Sequence, residues 1–586
     1  MFKTLLKSVR EYKLPSILCP IVMIGEAVME IIIPFLMTRV VGEFERLSLG
    51  ETDVLDKNTI IVNSVLMIVC AIAALLFGIW GGRLGAKASC GFAHNLREDM
   101  YNNLQTFSFA NIDNYSTSSL ITRITTDVSN VQMAYQMSIR LLVRAPILFI
   151  TSMIMATFIE PKMALIFGCG ALFLAIVVGF CMYRVGPHFR KMFKRYDVLN
   201  SVVQEDLTAI RVVKSYVREE REIEKMKNAS GEVYKYSVKA ERILTIMMPC
   251  VTLTMFIINI VLLTVGSKMY VNGTGAIRPS NLQTLIQYSA QILSGVMIVA
   301  MCLNFISLSK GSMERISEVL TETTTLPKPQ NPVYEVKDGS IDFNNVNFAY
   351  SQKADVDVLE GISLHIKSGE TVGIIGATGS GKTSLVSLIP RLYDCTAGSV
   401  CVGGVDVRNY NMDTLRTKVA MVLQKNVLFS GTVAENLRWG DENATDEDLV
   451  LAAKQACADE FINNLPGGYN YDLGQGGVNV SGGQKQRLCI ARALLKKPNV
   501  IIFDDSTSAV DTKTDSEIRS ALKKYAPEVT KIIIAQRIAS VQDADKIIVM
   551  DEGKIAGLGT HDELIKSNDI YREVFESQMK GGHENE

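Results

Sequence analysis

Six apolar stretches, roughly 15–42, 59–83, 138–159, 162–185, 243–271 and 280–306, crowd the first part of this 586-residue chain. Each is near the ~20 residues that a helix needs to cross hydrocarbon. Several are apolar around their whole circumference, as at Ile60–Trp80 and Ala164–Cys181, whereas helices of a large soluble domain show one apolar face. The first half therefore reads as an all-α, six-helix transmembrane domain over residues 1–320, and the even number of spans puts both termini on one side. Thirteen basic residues fall between spans four and five (186–242), against short turns with few after spans one, three and five. That bias places both termini and the two long loops, 84–137 and 186–242, in the cytoplasm. Val202–Arg218 and Ser118–Val131 keep helical apolar periodicity, so the loops read as extensions of the spans, with short turns near Ala110–Ser116 and Ala209–Lys214.

Polar residues inside spans are costly and mark candidate sites. Glu26 and Glu30 sit four apart in span one, Asn259 lies in span five, and Gln283, Gln287 and Gln291 form a stripe on one face of span six. Two readings stand side by side: interhelical hydrogen bonds that hold the bundle, and a wet cavity for a small amphipathic cargo. Arg140 and Arg144, near the start of span three, are expected to snorkel to the cytoplasmic surface. Five methionines, Met247, Met248, Met255, Met297 and Met301, serve either packing or an adaptable apolar pocket. The opening Met1–Arg10 alternates apolar and basic faces like an interfacial helix, and no small-residue cleavage site follows it.

Composition narrows the remainder. Hydrophobic residues make up 48% and charged residues 21%, the mixture expected of a membrane half joined to a soluble half. A formal net charge of −1 gives no reason to propose a nucleic-acid partner. The eleven cysteines are scattered, odd in number and without a C-x-x-C pair, which reads as reduced packing residues.

A polar, proline-containing stretch, Thr321–Pro332, marks the boundary, giving a linker over 321–338 and a second domain over 339–580. There Ile341–Tyr350 and Val358–Ile366 alternate like strands, and short β runs then alternate with helices, as in an α/β domain. Three phosphate-handling segments follow in order. Gly376-Ala377-Thr378-Gly379-Ser380-Gly381-Lys382-Thr383 lies between an apolar strand (Thr371–Ile375) and a helix (Ser384–Ile389). Its glycines let backbone N–H groups face a phosphate, Lys382 reaches the outer phosphates, and the Thr383 hydroxyl is placed for Mg²⁺. Ser481-Gly482-Gly483-Gln484 caps a helix running to Leu495 and makes an anion site. Asp504 and Asp505 close the apolar strand that starts at Val500.

This set resembles a half of an ATP-binding-cassette (ABC) transporter of the exporter type, six spans fused ahead of one P-loop nucleotide-binding domain, over essentially the whole chain. The resemblance implies ATP and Mg²⁺ as cofactors, with Tyr350 stacking on adenine, and Gly376, Thr378, Gly379, Ser380, Gly381, Lys382, Thr383 and Ser384 around the phosphates. It implies Thr383, Gln424 and Asp504 around the metal, and Ser508, Ala509 and Asp511 in the segment that follows. Ser481, Gly482, Gly483 and Gln484 match the family signature, which clasps ATP held by a second cassette, so a chain with one cassette must dimerise.

Two positions depart from the family pattern. Asp505 stands where a glutamate acts as general base, and Gln536 stands where a switch histidine is expected after the strand Ile532–Ala535. The chain has no histidine between His365 and His561 to replace it. A carboxylate one methylene shorter retreats from the attacking water, and glutamine cannot carry a proton or a positive charge. Gln475, where such exporters commonly have glutamate, is a third departure. The resemblance is thus to the degenerate-site subunit of a heterodimeric bacterial multidrug exporter in the cell membrane. A homodimeric lipid, porphyrin or peptide exporter, and a non-transporting ATP-gated channel or receptor, would use the same parts.

Overall fold

A computed structural model of the chain describes residues 1–272, 277–350, 356–505 and 512–583. They divide into two compact units: Met1–Gln105 with Thr117–Glu322, and Thr106–Ser116 with the described residues from Thr323 onward.

The first unit is helical. Its six long helices are α1 (Lys13–Ser48), α2 (Lys57–Gln105), α3 (Val128–Ile159), α4 (Pro161–Thr208), α5 (Glu219–Val271) and α6 (Pro279–Thr321). Each is long and apolar enough to cross a membrane. Lipid cannot hydrogen-bond a backbone, and a helix satisfies its own. On α2 the apolar window is only 6% buried. Ile61, Val65, Ile68, Ile72, Leu75 and Trp80 face outward there, the arrangement of a helix solvated by lipid. Most helices run well past the apolar stretches: α2 continues 22 residues beyond residue 83, and α5 begins 24 residues before residue 243. The sequence periodicity over 118–131 is helical with one irregularity, a π-turn at Arg123–Asp127. It is tied to α6 by Arg123 to Glu318 (2.6 Å) and by Arg315 Nε to the buried Asp127 (2.7 Å). Over 202–218 the helical periodicity is interrupted where a short turn is expected: α4 ends at Thr208, Ala209 leaves helical geometry, and a separate short helix covers Ile210–Ser215.

The second unit is α/β. A four-stranded sheet has the order β2-β1-β4-β5, from β1 (Ile341–Phe348), β2 (Leu359–Ile366), β4 (Ala397–Val402) and β5 (Val405–Asp406). A six-stranded sheet has the order β10-β9-β3-β8-β7-β6, from β3 (Thr371–Gly376), β6 (Val419–Val422), β7 (Val500–Asp504), β8 (Thr530–Ile534), β9 (Lys546–Asp551) and β10 (Lys554–Gly559). β3, β8, β7 and β6 run parallel. β7 and β8 are buried along their whole length, which is why both read as continuous apolar runs instead of alternating ones. Side chains still point alternately to two faces. Val500 and Ile502 pack toward the four-stranded sheet with Phe343 and Val372, whereas Ile501 and Phe503 pack on the helical side with Leu488 and Ala491.

The proline-containing stretch is part of this unit. Leu326 and Val336 are buried, and the Pro327 carbonyl accepts from Arg391 at 3.0 Å. Residues 106–116 also belong here: Ser108 caps the short helix Phe109–Asp113, and Asn111 Nδ2 donates to the Thr323 carbonyl at 3.1 Å.

Ile502 has no exposed surface between the two sheets. Ile502→Ala should cost the cassette about 2–5 kcal/mol through lost burial and the cavity left behind. Chemical denaturation followed by tryptophan fluorescence measures it; a loss below about 1 kcal/mol would contradict this packing.

Candidate nucleotide site and intramembrane polar residues

Parallel strands present their carboxyl ends on one edge, where α/β sheets bind ligands. On that edge β3 leads into Gly376–Thr383, β7 into Asp504 and Asp505, β8 into Gln536, and β6 into Gln424. Residues scattered over 161 positions of sequence thus become neighbours.

The glycine loop has the backbone its sequence requires. A Cβ at Gly376 would lie 2.2 Å from the Met550 carbonyl oxygen on β9. Gly381 is left-handed (φ 92°) and caps α7 (Lys382–Ser387), a conformation that favours glycine. Lys382 Nζ donates to the carbonyls of Gly376 and Ala377, both at 2.7 Å. Burial pulls the Lys382 ammonium below its usual value, against the opposing charges of Asp505 and Asp504. Thr383 Oγ1 donates to Asp504 Oδ1 at 2.8 Å. Burial raises the Asp504 carboxyl above the ordinary carboxylate range, the Thr383 hydroxyl opposes this, and the Asp505 charge reinforces it. A desolvated carboxylate beside a hydroxyl is the donor set that suits a hard divalent cation such as Mg²⁺, and the bare glycine backbone with a lysine beside it suits a polyphosphate.

Asp505 is held in place from both sides. It is 8% exposed, left-handed (φ 48°), and its N–H donates to the Ile534 carbonyl at 3.2 Å. Its Oδ2 accepts from Gln536 Nε2 at 2.7 Å and from Gln424 Nε2 at 3.3 Å. One carboxylate oxygen therefore joins the departures at 505 and 536 to the residue after β6. Gln578, on the C-terminal helix Asp569–His583, props the Gln536 turn by donating to its carbonyl at 2.8 Å and accepting from Ile538 N–H at 2.9 Å. No motif in the sequence points to it.

Tyr350 is half exposed and its hydroxyl lies 2.8 Å from Ser384 Oγ. Its ring meets Tyr393 edge-on at 5.2 Å. Tyr393 in turn meets Phe109 at 6.1 Å and donates its hydroxyl to Asp113 Oδ2 at 2.6 Å. Burial and that carboxylate push the Tyr393 phenol above its usual value. Arg391, fully buried and paired with Asp394 at 2.8 Å, shapes the turn that presents Tyr393. Sequence reasoning found Tyr350 but missed the rest of this ladder, because Tyr393, Phe109 and Asp113 carry no motif.

Ser481 caps α8 (Gly482–Leu495) with a reciprocal box: Gln484 N–H donates to Ser481 Oγ at 3.3 Å, and Ser481 N–H donates to Gln484 Oε1 at 2.9 Å. Among the described residues no hydrogen bond joins Ser481–Gln484 to the glycine loop. Gln475 is exposed in a short turn between left-handed Gly474 and Gly476. Ser508, Ala509 and Asp511 lie outside the described residues. Beyond Gln424 a groove of about 340 Å³ is lined by Met421, Leu423, Val427, Phe429, Trp439 and Arg492, with Phe429 and Trp439 stacked at 4.0 Å.

In the membrane unit the polar residues separate. Asn259 Oδ1 accepts from Ser289 Oγ at 3.0 Å, and Gln291 Oε1 accepts from Ser152 Oγ at 3.2 Å, both interhelical. Gln283 is exposed and Gln287 half-buried. The snorkelling expected of Arg144 is overturned: its Nη2 donates to Glu30 Oε2 at 2.7 Å and lies 3.6 Å from Glu26 Oε1. Two carboxylates a turn apart on α1 hold the guanidinium within the bundle. Met247, Met255 and Met297 pack on the core of this unit, whereas Met248 and Met301 are exposed. A cavity of about 420 Å³ opens between α4 and α6, lined by Val178, Met182, Phe189, Val296, Leu303 and Asn304.

Residues 16–297 match the model of the ABC transporter transmembrane region, and residues 359–508 match the ABC transporter model. An uncharacterised ABC transporter ATP-binding protein of Mycobacterium tuberculosis is 36% identical over 518 residues, 88% of this chain and 87% of that one. The chain belongs to the ABC transporter family. Among further ABC relatives, the uncharacterised ATP-binding protein YfiB of Bacillus subtilis is 32% identical over 574 residues, covering 98% of both chains. A bacterial Atm1-family ABC exporter with ATP bound shares the fold, with a TM-score of 0.81 at 23% identity over 97% of this chain and 99% of that one. The protein is accordingly a multi-pass membrane ABC transport ATPase.

Gly376→Ala tests the loop geometry. With a carbonyl oxygen 2.2 Å from the added carbon, the loop must shift. ATP affinity should fall at least tenfold with a loss of about 1–3 kcal/mol in stability, measured by fluorescent-nucleotide titration and thermal melting. Unchanged affinity would contradict the geometry.

Proposed function

We propose that this chain is one half of a heterodimeric, ATP-driven exporter of amphipathic compounds, that it sits in the cell membrane with both termini in the cytoplasm, and that its own nucleotide site is slow. The observation that carries the reading is the Asp505 carboxylate, one methylene shorter than glutamate and bound at Oδ2 by the amides of Gln424 and Gln536.

A general base must reach the proton it takes. Misplacement by about 1 Å costs ~10²-fold in rate, and two amide N–H groups on Oδ2 fix the shortened carboxylate in one orientation. Gln536 donates or accepts a hydrogen bond at the phosphate but moves no proton. Binding functions are intact by contrast. Lys382 exchanges its carbonyl partners for outer phosphate oxygens, the backbone of Gly376–Ser384 cradles them, and Tyr350 offers its ring to adenine. Thr383, Asp504 and Gln424 would hold Mg²⁺, which supplies charge compensation at the phosphate oxygens. The chain thus retains nucleotide and turns it over slowly.

Ser481–Gln484 serve the other site. Exposed at the start of α8, they offer N–H groups and the positive end of a 14-residue helix to the phosphate held by a second, homologous chain. That chain supplies the glutamate and histidine missing here. The ladder Tyr350–Tyr393–Asp113 ties the adenine end of the site to residues 106–116. In the membrane unit the apolar cavity between α4 and α6 suits an amphipathic cargo.

The test is ATP turnover by the chain alone and with its partner. Alone it should hydrolyse at least tenfold more slowly than the pair. Within the pair, Asp505→Asn should change turnover less than about threefold, whereas Ser481→Arg should lower it ~10²-fold, the scale of losing an oriented phosphate contact. Vigorous turnover by the chain alone, lost on Asp505→Asn, would instead make it a self-sufficient homodimer.

A further inference from the structure

Beside the Arg144–Glu30 hydrogen bond, the membrane unit holds two charged side chains with buried atoms that lack a hydrogen-bond partner. Glu26 on α1 is 3.6 Å from Arg144, too long for a hydrogen bond, and its Oε2 is buried without a hydrogen-bond partner among the described residues. Arg140, one turn before Arg144 on α3, has no carboxylate within 4.0 Å among the described residues, and its Nε is likewise buried and unpartnered. Buried polar atoms are normally hydrogen-bonded, and a charge inside a span is costly. Such a cluster persists where it does something.

Helix α2 gives the two charges a common floor. A Cβ at Gly78 would stand 3.5 Å from Glu26 Oε1, and one at Gly82 would stand 4.0 Å from Arg140 Nη2. Gly78 and Gly82 are four apart, on one face and about 6 Å along the axis. A carboxylate and a guanidinium therefore border one strip of bare helix at adjacent turns, and no ion pair joins them.

From this juxtaposition we infer that Glu26 and Arg140 bind the two ends of a zwitterionic cargo, an ammonium group on Glu26 and a carboxylate or phosphate on Arg140, with its charges about 6 Å apart. A cation alone would leave Arg140 without a carboxylate partner, and an anion alone would leave Glu26 Oε2 without a hydrogen-bond donor. A zwitterion satisfies both and brings no net charge into the low-dielectric bundle. Arg144–Glu30 is the internal pair that keeps the cluster neutral and Glu26 oriented. The inference rests on the transporter reading above and deepens it. It narrows the amphipathic cargo proposed above to one that carries both charges. A free short peptide and a phosphoethanolamine headgroup share this chemistry.

The test uses the full pair of chains reconstituted in phosphatidylglycerol vesicles, reading ATPase stimulation relative to each preparation's own basal rate. The soluble arm adds leucyl-phenylalanine, its N-acetyl form or its C-terminal amide. The lipid arm adds phosphatidylethanolamine or its N-acylated form. Stimulation by the zwitterion of one arm is expected, with at least a tenfold higher half-saturating concentration for each blocked form. Glu26→Gln should abolish discrimination against the N-blocked form only, and Arg140→Gln discrimination against the C-amide only, with Arg140→Lys restoring part of it. Equal responses to free and blocked forms, equal loss of every response in both variants, or no stimulation by either zwitterion would overturn the inference. ATP-dependent uptake of an amphipathic cation in the same vesicles is the separate check. Its presence beside a failed zwitterion arm leaves the transporter reading standing, and its absence together with every other uptake removes that reading as well.

Discussion

Four parallel strands that end on one edge of a sheet organise the chemistry of the second unit. β3, β8, β7 and β6 deliver, side by side, a glycine loop, a glutamine, two aspartates and a second glutamine. The sheet is held by apolar packing on both faces and does not depend on the polar residues it delivers. Its edge can therefore carry a buried carboxylate, a desolvated lysine and a left-handed aspartate.

On that edge Asp505 is the point where the polar interactions converge. Its short side chain brings a single oxygen to both Gln536 and Gln424, so residues that follow three different strands share one acceptor. Asp504 next to it faces Thr383 instead. Two adjacent carboxylates thus have different partners, one suited to a metal and the other closed by amides. The membrane unit shows a related division. Arg144 and Glu30 share a hydrogen bond, while Glu26 Oε2, Arg140 Nε and Arg144 Nε are buried without hydrogen-bond partners among the described residues.

Local patterns in the sequence were legible where local physics is sufficient. The six apolar stretches lie within the six long helices, and the apolar run from Val500 is a fully buried central strand. Ser481-Gly482-Gly483-Gln484 has the serine and glutamine spacing of a capping box, and both of its hydrogen bonds form. Reading failed where an outcome depended on a distant partner. Arg144 on its own reads as a residue that reaches for the membrane surface, because nothing nearby in sequence says that two glutamates more than 110 positions earlier lie against it. Gln578 and Tyr393 carry no pattern at all, and the Tyr393–Asp113 hydrogen bond spans 280 positions.

By itself the sequence determined the spans, the α/β character of the second half, the glycine loop, the helix cap at Ser481, and the substitutions at 505 and 536, since each depends on hydropathy, backbone freedom or residue type within a few positions. Only the tertiary structure decided that Gln536 and Gln424 meet on one oxygen of Asp505, that residues 106–116 pack with the second unit, and that Glu26 and Arg140 border the same two turns of α2. Those facts are matters of which surfaces approach within a few ångströms. Short-range hydrogen bonds and ion pairs read that distance directly, whereas separation along the chain does not encode it.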